Sequence, residues 1–583
     1  MELPRMKQTT TASRTVDYWK GLNRRAAAAE NEFREDWNLS ADHYPILATR
    51  RKRGIVTELS EPQGIQTRDG LLYIDGGKVY LNGTEVTGLQ LTGSGVRQLV
   101  AMGAYTVIFP DGVYLNTEDL TDFGSINASA ETTGDVTYEP CDAEGASYEM
   151  DYVQPEPPED PQSGDYWLDT SGEIHVLKQY SGDAEMWVQV PTVYTLISAN
   201  DIGKNFQRWD GVEISGADGP AQIEALNGSR TIEACGEDFI VITGLIDQTF
   251  TQTTGSVTVS RQAPDMDFVV ECGNRLWGCK YGMVGGKPVN ELYCSALGDF
   301  RNFRSYRGLA GDSWAASRGA DGQFTGAITY LGTPIFFRET SLERVYPSDN
   351  GAHNVTTMTC RGVQRGCWRS LQIVGETLYY KANAGVCAYQ GALPVLVSDA
   401  LGSAQYSDAR AGAIGSKYYI SMKDEKDEWG FYCYEATRQL WHREDDVKAL
   451  MFAAVGEELY CIDEQSGELF TVYGSSGDEE PDFCWCAETG VIGLDSYKQK
   501  TLTRISLRGR LNENAFMRVL IEYDSNGTWI PKAELHGDNL RSFLLPIRAR
   551  RCDHCRIRLE GHGGMMLYSA HANYRKGSDE IIL

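Results

Sequence analysis

Two thiols and an imidazole stand together at Cys552-Asp553-His554-Cys555, the spacing of half a zinc site. No second pair of ligand type accompanies it, and Cys555-Arg556-Ile557-Arg558-Leu559 continues as an alternating strand. The cysteines are therefore expected to pack as small apolar side chains, and no metal is assigned. Aspartate and glutamate together number 81, ample for a catalytic carboxylate pair, but nothing in their spacing selects one. Asp299, Asp312 and Glu339 fall in loops beside strands and read as turn caps or solvated charges. The run 424–428 reads as a charged hairpin tip, since a calcium loop needs further ligands at alternating positions and a closing Glu. Trp167, Tyr180 and Trp187 share one short β unit, where three aromatics form either its core or an exposed platform for a sugar ring.

Motifs that carry a catalytic mechanism are missing: the chain has no GxSxG elbow, no HExxH helix and no GxxxxGK[ST] loop. The segment YDSNGTW (523–529) comes near the Asp-box of sialidases, but two residues separate Asp524 from Gly527 where the box has one. The chain is expected not to be an enzyme, with no catalytic residue and no cofactor.

The elements that would position any site are strands. Seven times an apolar strand runs into a glycine and out into a second apolar strand, at Gly70, Gly103, Gly273, Gly332, Gly375, Gly415 and Gly456. The later copies recur about every 40 residues, the length of a four-stranded propeller blade. A glycine supplies the positive φ of a tight hairpin, and runs such as Pro334-Ile335-Phe336-Phe337 suit a sheet covered on both faces. The expected fold is all-β: a β-propeller of about seven blades with an inserted small β region and a C-terminal β-sandwich. The alternative is an ordinary sandwich with recurrent hairpins.

At 583 residues, 42% hydrophobic, the chain can bury several cores. It has no uninterrupted apolar run of membrane-spanning length and no apolar stretch after Met1-Glu2-Leu3-Pro4-Arg5, so neither a span nor a signal peptide is expected, and folding in a cytoplasm is. The 14 cysteines are then expected to stay reduced. A net charge of −27 argues against gripping nucleic-acid phosphates, while a negative wall suits DNA that slides past. Arg50-Arg51-Lys52-Arg53 is the one strong basic cluster and reads as a solvated strand edge or a protein contact.

Residues 1–45 read as an N-terminal arm, with a short helix at its alanine run and with Trp19, Phe33 and Trp37 as apolar anchors for a neighbouring subunit. Residues 46–132 hold the first blades. Residues 133–265 form an insertion that starts beyond Gly103 and carries an acidic, proline-rich linker at 154–165. Residues 266–494 hold the remaining blades. Residues 495–583 form the sandwich, with Asn526-Gly527 expected as a type I′ turn.

The centre of the chain adds a pattern of its own. Ser295, Leu297, Gly298, Asp299 and Phe303 are followed by Ile335, Phe336, Phe337, Ser341, Glu343 and Tyr346, then by Gly366, Leu378, Tyr379, Tyr380, Gly385, Val386, Tyr389 and Gly391. Over about 265–400 this resembles the propeller segment of bacteriophage tail nozzle proteins and the related packaged-DNA stabilisation proteins. The resemblance implies a virion structural protein without a catalytic site, a homo-oligomeric ring around the DNA exit channel. It would contact other tail or head–tail adaptor proteins and be assembled in the host bacterial cytoplasm. The alternative is a glycan-binding or glycan-cleaving receptor-recognition protein of the phage tail, with host surface glycan as partner.

Overall fold

Each of the seven glycines turns the chain between the first and second strands of a different antiparallel sheet. This is seen in the computed structural model, which describes residues 11–493, 498–548 and 550–576. Six of the seven share one backbone conformation, with φ between 57° at Gly415 and 70° at Gly332, the left-handed region a tight hairpin demands. Six four-stranded sheets occupy 62–90, 98–125, 268–317, 326–359, 372–396 and 406–445, each strand pairing with the next in sequence. A seventh takes three strands from 449–471 and its fourth from far upstream: Gly54–Glu58 pairs with Glu468–Thr471, and Asp478–Glu479 adds a short fifth. The first strands touch in chain order, the fourth and fifth sheets meeting through the short turn Trp368–Ser370, and Ala449–Val455 returns to touch Pro62–Thr67. The protein is thus all-β, built largely of four-stranded sheets in a propeller-like arrangement. The second strands are the driest, Thr333–Phe337 and Thr377–Ala382 being buried at every residue, because sheets pack on both their faces.

Between the second and third sheets the chain leaves to form the insertion. Its strands from Ala128–Glu131 to Thr258–Arg261 enclose a core of Tyr138, Ile197, Val212, Ile232, Ile242 and Val259. A separate sheet, Tyr152–Gln154, Tyr166–Asp169, Val176–Ser181 and Met186–Gln189, grows from it.

The arm is not an arm. Thr11–Val16 pairs with Met565–Lys576, Phe33–Trp37 pairs with Cys484–Thr489, and Leu47–Thr49 pairs with Met565–Lys576, so the N-terminal region completes both sheets of the C-terminal sandwich. Trp19 stacks on Phe33 at 5.6 Å, and both are buried in the core with Trp485, Leu507, Val519 and Leu559. Trp37 is half-buried under Arg443, 4.4 Å from its ring. The apolar surface expected to meet a neighbouring subunit is spent inside this chain. The short helix expected at the alanine run is absent as well. Its backbone donors go elsewhere, Ala28 N–H to the Arg25 carbonyl and Ala29 N–H to Glu32 Oε2, and residues 25–32 turn instead. The sandwich begins at Cys484, ahead of the expected boundary; that boundary at 495, the N-terminal residues 1–10 and the C-terminal 577–583 lie outside the described residues. Among the described residues no helix is long and apolar enough to cross a membrane.

Candidate functional site

The first strands of the seven sheets line a cavity of about 410 Å³, each contributing a residue: Gln66, Val100, Val269, Ile328, Gln372, Ala411 and Phe452. Most glycosidases cleave with two carboxyl groups roughly 5–9.5 Å apart. This lining offers one, Glu271, and its Oε1 accepts the Asn274 N–H at 2.9 Å. The other charge is Arg369. Its Nη1 donates to the Leu450 carbonyl at 2.8 Å, its Nε is buried without a partner, and no carboxylate among the described residues pairs with it. Burial, helped by the charge of Arg410, pulls its pKa down to about 10. Arg369 is half-buried, and the charges of Glu464 and Asp408 offset only part of its desolvation cost. Arg369→Met is expected to raise the unfolding free energy by about 1 kcal/mol in denaturant titration, and a loss of that size would show that the guanidinium is compensated.

The aromatic trio of the insertion is brought together. Trp187 meets Trp167 and Tyr180 edge-on, each at 5.3 Å, and Tyr152 joins at 6.2 Å. Trp167 is buried; its indole N–H donates to the Gln154 carbonyl at 2.9 Å and Lys178 Nζ lies 4.5 Å over its ring. Tyr152, Tyr180 and Trp187 remain half-exposed, so the cluster has a core member and an open rim.

The basic run 50–53 is a joint within the chain, not a solvated edge. Arg53, buried where the chain passes from the sandwich to Gly54–Glu58, binds Glu444 at 3.0 Å and Asp445 at 2.6 Å and lies 4.8 Å from the Phe470 ring. Arg50 pairs with Glu480 and donates to Asn38 Oδ1 at 2.7 Å; Lys52 reaches Glu479 and Asp482, each at 2.8 Å. Asp36 extends the joint, accepting from Arg443 N–H at 2.9 Å and meeting His442 Nδ1 at 2.7 Å, and Lys417 pairs with Asp42. Nothing in the sequence pattern signalled these ion pairs, since each charged partner stands some 370–430 positions away.

Cys552 and Cys555 face the sandwich core, where burial pushes their thiols up to about 11 and 12, the reverse of what a zinc thiolate requires. Their neighbours gather at the surface instead: Asp524, Asp553 and His554 lie within 4.8 Å of one another. Both imidazole nitrogens of His554 are already engaged, by Asp553 and by Ser525 Oγ at 2.7 Å, so the group reads as a turn network. The turn itself differs from type I′: Asp524, Ser525 and Gly527 take positive φ, and Asn526 does not, because Glu522 draws in the Gly527 N–H. Asp299, Asp312 and Glu339 each accept backbone N–H groups, as turn caps do.

The central pattern residues are blade parts. Ser295 Oγ accepts the Leu276 N–H, Glu343 is fully buried against Arg318 at 3.0 Å, and a Cβ on Gly385 would meet Ser398 Oγ at 2.3 Å. Leu297 and Tyr346 stand out because they are exposed.

No family model matches the chain, and no curated protein does. Among solved structures it is similar to PorZ of Porphyromonas gingivalis, a surface component of a type-IX secretion system, at 9% identity and TM-score 0.25, over 82% of this chain and 70% of that one. It is also similar to the Trypanosoma rangeli sialidase, at 9% identity and TM-score 0.21 over 89% and 95%. The exo-β-1,3-galactanase of Phanerochaete chrysosporium follows at 7% and 0.20 over 73% and 97%. Likeness at this level carries no argument about the fold or role of this chain.

Proposed function

We propose that this chain is a non-catalytic structural component of a bacteriophage tail, of the nozzle or tail-hub type, which assembles as a ring of identical copies around the DNA exit channel. In this reading the seven sheets are the blades of one propeller, closed by Gly54–Glu58. The supporting observation is the buried ionic joint of Arg50, Arg53, Asp36 and Lys417, which fixes propeller and sandwich as one rigid bracket. A part that bears load between neighbours needs such a joint, whereas tethered catalytic and binding modules do not. An axial lining with one carboxylate agrees with it, and so does a net charge of −27, which keeps passing DNA from sticking.

Light scattering and negative-stain imaging of the purified chain, alone and with the adaptor and tail proteins of its virion, test the reading. Rings with a central hole are the expected result; a monomer under all those conditions overturns it. A second reading, glycan recognition at the phage tail, is favoured by the half-exposed rim of Tyr152, Tyr180 and Trp187. Retention on a glycan array that Trp187→Ala abolishes would establish it.

A further inference from the structure

Trp209 is the one tryptophan held in the left-handed region, at φ 74°, a conformation strained for a bulky side chain. Its backbone is pinned on both sides. Its N–H donates to the Ile232 carbonyl at 2.6 Å, its carbonyl accepts from Asn302 Nδ2 at 2.7 Å, and Asn302 Oδ1 accepts the Gly211 N–H at 3.2 Å. Next to it Asp210 is fully buried in an ion pair with Arg261. The outcome of this clamp is an indole pushed outward, 46% exposed, with the Arg208 and Arg307 guanidiniums 5.1 and 4.9 Å from its ring. Arg208 pairs with no carboxylate among the described residues, while Arg307 Nε lies 3.6 Å from Asp312 Oδ1. The loop that supplies Arg307 also exposes Leu297, Tyr306 and Leu309, each more than half accessible. Strain that presents an aromatic between two cations on a protein of net charge −27 needs a partner to explain it.

We propose that this surface binds the acidic, proline-rich segment 155–160 of a second copy of the chain. That segment, Pro155-Glu156-Pro157-Pro158-Glu159-Asp160, presents three carboxylates and is exposed at every residue but Pro158. Prolines restrict the backbone and so lower the entropy lost on docking against aromatic rings; the segment bends at 155–156 and 159–160, with Asp160 at φ 59°, and its carboxylates match the guanidiniums in sign. The two faces differ, so the contact is head-to-tail, the kind that closes into a ring. The inference rests on the ring reading and names its contact.

Two variants test it. Trp209→Gly removes the indole and suits φ 74°, so its thermal midpoint should stay level or rise, while self-association weakens about 30-fold, as loss of an interface anchor does. The triple variant Glu156→Lys, Glu159→Lys, Asp160→Lys should be equally deficient. Mixed, the two should form a dimer and nothing larger, since only one live surface of each kind remains. Rings of Trp209→Gly with wild-type affinity overturn the inference and leave the ring reading standing. If the wild type never assembles, the ring reading falls. A synthetic peptide of residues 152–163 then decides separately: binding to the wild type and not to Trp209→Gly supports the contact, and equal or absent binding overturns it.

Discussion

Replacing Arg53 by methionine is expected to cost about 3–5 kcal/mol and to split one unfolding transition into two, read by calorimetry. Methionine fills similar space between the Phe431 and Phe470 rings, so packing is largely kept. What is lost is the group that, among the described residues, meets both Glu444, at 3.0 Å, and Asp445, at 2.6 Å. Glu444 is buried, and without Arg53 only the more distant charges of Arg50 and Lys417 remain to offset its desolvation cost. The same joint couples the sandwich to the sixth and seventh sheets, so its loss should let them melt separately. Arg53→Lys is expected to recover only part, because an ammonium is a point charge and cannot span both carboxylates as a planar fork does.

The deficit should depend on pH with a defined sign. Burial raises the Glu444 pKa above 4.5 even with Arg53 present to lower it, and removing Arg53 raises it further. A carboxyl group whose folded pKa lies above its unfolded value binds more protons when folded, so stability is lost as pH rises from the unfolded value through the folded one. The variant should therefore fall furthest behind the wild type near neutrality and close the gap as pH drops toward 4.5. A gap that stays constant across that range would assign the loss to packing instead of charge.

The sequence shows what repeats and hides what is paired over distance. The seven glycine hairpins are legible because each is local: two strands, one turn, one backbone conformation. The insertion is legible because its linker changes composition. The fate of Thr11–Val16 is not, since its partner lies more than 550 positions downstream and a polar, alternating strand specifies its register only once that partner is present. Trp19 and Phe33 look like exposed anchors for the same reason: apolar residues on a segment without a visible core. Arg50 and Arg53 look solvated because their carboxylates arrive from 444–480. Trp209 carries no local signal at all, its conformation being imposed by Asn302 from another sheet's loop.

Because its partner strand also lies more than 400 positions away, Gly54→Val is the sharpest test of how the seventh sheet is completed. Gly54 opens the strand that joins residues 54–58 to the last sheet, pairing with Thr471 on one side and Glu479 on the other. A Cβ there would lie 2.0 Å from the Ser476 carbonyl oxygen and 2.7 Å from Thr471 Oγ1, and the carbonyl belongs to backbone that cannot yield cheaply. Valine should cost about 3 kcal/mol and expose both 54–58 and 474–480 to limited proteolysis, since the edge those residues cover would open. Gly456→Asn is the matched control. It also changes a glycine of the seventh sheet, but its hairpin tip faces open space at φ 61°, a conformation asparagine accepts. It should cost under about 1 kcal/mol and leave proteolysis unchanged. Equal costs for the two would mean that 54–58 does not hold the last sheet, and in the proposed propeller closure would then rest on contacts between the first strands alone.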